Sequence, residues 1–401
     1  MGDTATFDLD LLTADDPHAA LAAARREVPV MMTASGFACA LTYDVCDTAM
    51  RHPSFTSGLI AERYRAALPP GPAQDELAHR INFLDPPDHP RVRGLVARVF
   101  TPGRVRALRP WIETEADRLL AEIADGGPVD LRARFAHQLP SYVISEMLGV
   151  PLADRDQLTA WTEAVTPLLG VEVDPVEKAA ALDASAQFAG YAETLIAQRR
   201  ADPQDDLLSA LVAAEEGDER LSHPELLSLV VTLYSAGHRT TRDLFSNGLF
   251  ALLSGDGYAT VAGDPTLVAS AVEEMLRVQT PTLFVARVTA EPVELGGVQL
   301  DPWTPVLVFL AAANRDPARF TDPDRFDVRR DEGAALSFAF GAHHCLGASL
   351  ARMEAQVMLD AVVRRWPDLT LADGFEPAWW RSGPFRGLRA LMVDPAGATT
   401  A

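Results

Sequence analysis

Apolar residues recur every three to four positions over most of the chain, the period of helices packed on one face. Asp16 to Arg26 and Tyr43 to Arg51 read as short helices, with Val28 to Met32 and Phe37 to Thr42 between them as a small hairpin. From Phe55 to Phe83 the period fails, interrupted by Pro69-Pro70-Gly71-Pro72, and the segment 55–83 is expected to be a long irregular loop of the kind that covers a site. Asp85 to Phe100 then opens a strong helical pattern. Pro110 to Ala201 is helical almost throughout, broken at Gly126-Gly127-Pro128, Gly149-Val150-Pro151 and Asp174-Pro175. The longest helix is expected over 223–254, where Ser222 and Glu225 have capping-box spacing. Strands come late: Pro281 to Val288, a hairpin at Val293 to Val298, Pro305 to Phe309, and a terminal hairpin at Arg381 to Leu388. No internal repeat or linker interrupts residues 1–401. One mainly α-helical domain with a small β region is the expected fold.

Composition narrows the function. At 48% hydrophobic and 23% charged residues this is an ordinary globular chain. A formal net charge of −21 argues against a general nucleic-acid binder, whose surfaces are basic. Lys178 is the sole lysine, a mark of a GC-rich bacterial genome. Cys39, Cys46 and Cys345 form an odd set without metal-site spacing, which points to a reducing compartment. Met1 to Asp16 carries acids and no apolar run, and the longest apolar run, Leu226 to Ala236, is too short to span a bilayer. A cytoplasmic monomer with no membrane partner is expected.

The most specific stretch is Phe338-Ala339-Phe340-Gly341-Ala342-His343-His344-Cys345-Leu346-Gly347. A cysteine in a glycine-rich loop is followed at once by a helical pattern, so the segment 338–365 reads as loop plus helix. Backbone N–H groups and the helix dipole at such a start favour a thiolate over a thiol. Gly341 and Gly347 lack Cβ atoms and let backbone and a flat ligand approach. A cysteinate beside a flat ligand is one of the few ways proteins ligate haem iron.

The stretch resembles the haem-binding loop of cytochromes P450: Phe338, a basic residue at His343, Cys345 as the metal ligand, and Gly347. The family usually has glycine where Ala339 stands. The resemblance implies haem b, iron protoporphyrin IX, as cofactor. It also implies propionate contacts from His89 and Arg93, four apart on one helix face, and from the strand residue Arg287. Glu274 and Arg277 fit the family's Glu-x-x-Arg helix, with Arg325 as the candidate second arginine that locks the pair. Arg98, Arg104, Arg106 and Arg109 form a local basic cluster, either a docking patch for an acidic ferredoxin or scattered surface arginines.

Within the longest helix, Ala236-Gly237-His238-Arg239-Thr240-Thr241 resembles the family's oxygen-binding kink. Gly237 followed by hydroxyls suggests a local groove. Thr240 matches the threonine that handles dioxygen and protons. The family's acid is replaced by Arg239, which stays charged at any working pH and passes no protons as a carboxylate would. Proton delivery then runs through Thr240, Thr241 and water, or Arg239 binds an anionic substrate, or the enzyme is peroxide-driven like the family's fatty-acid peroxygenases. Simple pairing of Arg239 with Asp243 is a fourth reading. The substrate pocket is expected to involve Thr232, Ser235, Leu283, Phe284, Val285, Pro384 and Phe385.

The resemblance therefore implies a haem-thiolate monooxygenase oxidising a small organic molecule with O2. Electrons would come from a ferredoxin and ferredoxin reductase, with NAD(P)H as ultimate donor. Secondary-metabolite tailoring by hydroxylation, epoxidation or oxidative coupling is the expected role. A peroxide-driven peroxygenase or a non-catalytic haem-binding sensor are the alternatives.

Overall fold

A computed structural model describes residues 6–10, 16–124, 126–170, 173–215 and 221–395. Residues 1–5 and 11–15 of the N-terminal stretch considered above lie outside them. Helices dominate, with short strands concentrated toward the C-terminal half. The described residues form two compact units, neither a continuous segment: one of Met1–Thr56, Arg109–His137 and Thr240–Ala401, the other of Ser57–Leu108 and Gln138–Arg239.

Among the described residues, the first unit holds all the strands. Its five-stranded sheet runs in the order Val30–Met32, Ala38–Ala40, Pro305–Val308, Val285–Thr289, Phe55–Thr56. Only the pairing of Ala38–Ala40 with Pro305–Val308 is parallel. The hairpin expected at 28–42 forms in register, with Met31 opposite Cys39. β-Branched and small side chains of these strands bury one continuous cluster, which includes Val30, Ala40, Cys46, Met50, Val306 and Val308 and reaches Leu336 and Ala339. The cysteine loop is thereby seated on the sheet. Helices Val268–Val278 and Ala348–Arg365 pack against each other in the same unit.

The second unit is helical. Segment 55–83, expected to be irregular, is ordered instead: after the strand Phe55–Thr56 of the first unit it folds as helices Gly58–Ala67 and Pro72–Ala78 and a 3-10 turn at Ile81–Phe83. Pro72 occupies the first turn, where its missing N–H costs nothing, and Pro69 to Gly71 only connect the two helices. Leu68, Ala73 and Leu77 share an apolar cluster with Leu168 and Ala181, so this segment packs on the 3-10 turn Thr166–Leu169 and on helix Pro175–Ala201.

Helix His223–Leu253 supplies its first seventeen residues to the second unit and the rest to the first. Its capping box is present: Ser222 N donates to Glu225 Oε2 at 2.7 Å, and Glu225 N donates to Ser222 Oγ at 3.4 Å. Glu225 also accepts from Arg91 Nη1 at 3.2 Å. Helix Leu207–Glu215 has no counterpart in the sequence reading.

Candidate functional site

In the first unit the cysteine loop is shaped by its own backbone. Cys345 N donates to the carbonyl of Phe338 at 2.9 Å, folding the intervening residues into a tight loop. Helix Ala348–Arg365 begins three residues after the cysteine. Arg352, on that helix, stacks its guanidinium 4.5 Å from the centroid of Phe338 and so ties the loop's two ends together.

Gly341 is demanded by the chain itself. It has φ +75°, and a Cβ there would lie 2.7 Å from the carbonyl oxygen of Met50. The chain's own backbone is thus sufficient reason for glycine here. Gly347 meets no such obstacle, since its added Cβ would touch only Cys345 Sγ, at 4.0 Å. Ala339, where the family has glycine, adopts φ +54°, a left-handed conformation that costs a non-glycine residue roughly 1–2 kcal/mol. Its methyl is buried in the sheet cluster, which offsets part of that cost.

The three cysteines differ in accessibility. Cys39 and Cys46 are fully buried, and burial pushes the Cys39 thiol up to about 12 and Cys46 further in the same direction. These are core thiols. Cys345 is exposed. An accessible sulfur at a helix start, flanked by a glycine without steric demand, fits iron ligation.

Arg287 is buried in strand Val285–Thr289, opposite Val306, and donates from Nη1 to the carbonyl of Ala286 at 2.7 Å. Leu283 and the terminal hairpin come together: Leu283 N donates to Pro384 O at 2.7 Å, and Thr282 bridges to Phe385. The Phe284 ring lies 5.4 Å from that of Phe309. Val285 packs against the sheet cluster. His343 lies in a 3-10 turn over Gly341–His343 and is partly buried.

The Glu274 network departs from expectation in one member. Glu274 receives Arg277 Nε at 2.7 Å and Nη2 at 2.8 Å, as expected, but the second arginine is Arg330, with Nε 3.2 Å from Glu274 Oε1. Arg325 contributes its main-chain carbonyl instead, accepting from Arg277 Nη2 and Arg330 Nη2, each at 3.1 Å. Asp322, at φ +43°, begins the turn, and its carbonyl accepts from Arg325 N at 2.9 Å.

In the second unit, His89 and Arg93 share a face of helix Asp88–Val99, with His89 3% exposed and Arg93 partly buried. Ala236 is exposed in the middle of the longest helix although Tyr234, His238 and Arg239 are buried. Thr240, one turn on, is partly buried. The helix is unbroken through the expected kink. Gly237 is explained by packing: a Cβ there would come within 3.0 Å of Ile144 Cδ1. Ser235 Oγ is buried without a hydrogen-bond partner among the described residues.

Arg239 is buried and its Nη1 donates to Thr166 Oγ1. Asp243, the partner that helical spacing suggested, is engaged by Arg242. Thr232 Oγ1 lies 3.4 Å from Glu76 Oε1, which receives Arg80 Nε at 2.6 Å. This buried pair and Thr166 were missed in the sequence. The i,i+4 spacing of Glu76 and Arg80 was the available signal, hidden within a segment taken for loop. Arg98, Arg104, Arg106 and Arg109 are all exposed, and Arg109 pairs with Glu113 at 2.9 Å.

Comparison with known proteins agrees with this geometry. The Cytochrome P450 family model matches residues 264–369. The chain is 40% identical over 400 residues to the cytochrome P450 monooxygenase PikC of Streptomyces venezuelae, covering 96% of this chain and 94% of the relative. It is 39% identical over 388 residues to a vitamin D(3) 25-hydroxylase of Pseudonocardia autotrophica, covering 94% and 93%. The crystal structure of CalO2 superposes with a TM-score of 0.91 at 31% identity, covering 98% of both chains. Family membership implies a haem b cofactor, and the exposed Cys345 in its hydrogen-bonded loop suits one. The chain belongs to the cytochrome P450 family and is a bacterial oxidoreductase of the haem-thiolate monooxygenase type.

Proposed function

We propose that the protein oxidises a small organic molecule in secondary-metabolite tailoring, by hydroxylation or epoxidation, with O2 and electrons from a ferredoxin and its NAD(P)H-dependent reductase. The observation that carries this reading is the exposed Cys345 in a loop closed on Phe338 at a helix start. The haem, when bound, supplies the dioxygen chemistry. Cys345 would hold the iron as thiolate, and His89, Arg93, Arg287 and His343 supply the donors that propionates require. Phe338 and Gly347 shape the loop around the sulfur.

Thr240, one helical turn from Ala236 and partly buried, carries a hydroxyl that can hold and pass a proton. Arg239 takes no part as acid or base, because a guanidinium stays protonated. Thr232, Ser235, Leu283, Phe284, Val285, Pro384 and Phe385 are the proposed contacts for substrate. The exposed arginines 98, 104, 106 and 109 are the proposed landing site for an acidic electron donor. No helix among the described residues is long and apolar enough to cross a membrane, which is compatible with a cytoplasmic enzyme.

The reduced protein under carbon monoxide is expected to show the red-shifted absorbance band of a thiolate-ligated haem, and Cys345→Ala, still loaded with haem, is expected to lose it. A band that persists in Cys345→Ala sinks the reading. Arg239 in the acid's place favours one second reading, peroxide-driven turnover, although Thr240 argues for dioxygen. Turnover with hydrogen peroxide but none with NADPH, ferredoxin and reductase would select it. Turnover with neither would select a haem-binding sensor.

A further inference from the structure

Arg239 is 5% exposed and its guanidinium donates to Thr166 Oγ1. Thr166 stands where helix Arg155–Val165 passes into the 3-10 turn Thr166–Leu169, and is itself buried. Its hydroxyl donates to the carbonyl of Thr162 at 2.7 Å. The hydroxyl proton is therefore committed, and what the oxygen offers to the helix at 239 is its lone pairs. A donor fits there. A carboxylate would have to draw the hydroxyl proton away from Thr162. The replacement of the family's acid by arginine thus has a local cause in this chain, since residue 239 is matched to an acceptor.

The contact reaches further through Leu168, two residues along the same turn, which belongs to the cluster with Leu68, Leu77 and Ala181. The segment that Arg239 grips is the one on which helices Gly58–Ala67 and Pro72–Ala78 pack.

We propose that Arg239 is a positioning residue that tethers the turn Thr166–Leu169, and with it the covering helices, to the central helix one residue before Thr240. Displacing the covering segment to admit or release substrate requires breaking this buried, charge-assisted hydrogen bond. The inference rests on the preceding functional reading only in taking helices 58–78 as the cover and Thr240 as the oxygen-handling hydroxyl.

The test uses the haem-loaded full chain with Thr166→Val, Thr166→Ser, Arg239→Gln and the double variant Thr166→Val/Arg239→Gln. Amide hydrogen exchange is followed over residues 155–170, together with the association rate of imidazole at the iron. Thr166→Val and Arg239→Gln should each speed both processes roughly tenfold, the effect of losing a hydrogen bond to a charged group. The double variant should be no faster than either single one, and Thr166→Ser should match the parent. A Thr166→Val protein indistinguishable from the parent, or a double variant whose effect is the product of the singles, overturns the proposal. Hydrogen exchange needs no thiolate ligation, so a failed carbon monoxide test with a normal exchange result would sink the functional reading and leave the tether standing.

Discussion

Arg242 holds its own chain neighbour, Asp243, through Nε to Oδ1 at 2.9 Å and Nη2 to Oδ2 at 3.1 Å, with both side chains 1% exposed. Adjacent helical residues do not normally face each other. Here the long arginine folds back over its neighbour and places its guanidinium 5.6 Å from the ring centroid of Trp380 in the terminal hairpin. Removing one member of a buried pair is far costlier than replacing both by apolar groups. Asp243→Ala should cost about 3–5 kcal/mol in urea unfolding of the haem-loaded protein. The double variant Arg242→Met/Asp243→Leu should cost clearly less than the two single variants summed.

Glu274 accepts from two arginines and from the backbone N–H of Asp327, at 2.8 Å, inside the first unit. Glu274→Ala should destabilise the fold by about 3–5 kcal/mol. Arg330→Ala should also be strongly destabilising. Arg325→Ala, which retains the carbonyl that the network uses, should stay within about 0.5 kcal/mol of the parent. Equal losses at 325 and 330 in thermal unfolding would contradict the assignment of Arg330 as second arginine.

Gly237→Ala sets two effects against each other. Alanine gains about 1 kcal/mol of helix propensity over glycine, while the new methyl would press on Ile144 Cδ1 at 3.0 Å. Ile144→Ala removes that carbon and Cγ1, 3.1 Å away, leaving Cβ at an ordinary 3.4 Å. Gly237→Ala should therefore be near neutral or destabilising alone, and stabilising by about 1 kcal/mol when introduced into Ile144→Ala. A double-mutant cycle in denaturant measures the coupling.

Glu354 lies on the helix behind the cysteine loop, is 1% exposed, and its Oε2 has no hydrogen-bond partner among the described residues. Burial pushes its carboxyl well above the ordinary glutamate range. The folded protein thus retains a proton that the unfolded chain gives up. Stability from this group is full below the unfolded-state pKa and is lost as pH rises toward the folded-state value. Glu354→Gln should raise stability at neutral pH and flatten the decline above the ordinary glutamate range. Chemical unfolding as a function of pH, with the parent alongside, checks both.

The parts of this protein legible in its sequence are those with local causes. The capping box at Ser222 and Glu225, the hairpin at 30–40 and the cysteine loop all carry their determinants within ten residues or so. The helices of 58–78 were not legible, because two short helices joined by Pro69-Pro70-Gly71 show too few turns for a period to emerge. Other misses are long-range. Gly237 answers to Ile144, ninety-three positions earlier, and Arg239 to Thr166, seventy-three positions earlier. Arg325 and Arg330 exchanged roles because an arginine's main chain and side chain can enter the same network, and spacing does not distinguish them.

The shared packing of Leu68 and Leu77 with Leu168 and Ala181 bears on any effort to change what the enzyme accepts. Positions a hundred residues apart answer to one another there, so a side chain enlarged at 77 is accommodated or refused at 168. Libraries that diversify 58–83 alone would sample mostly misfits. Libraries that vary both stretches together should keep more proteins folded.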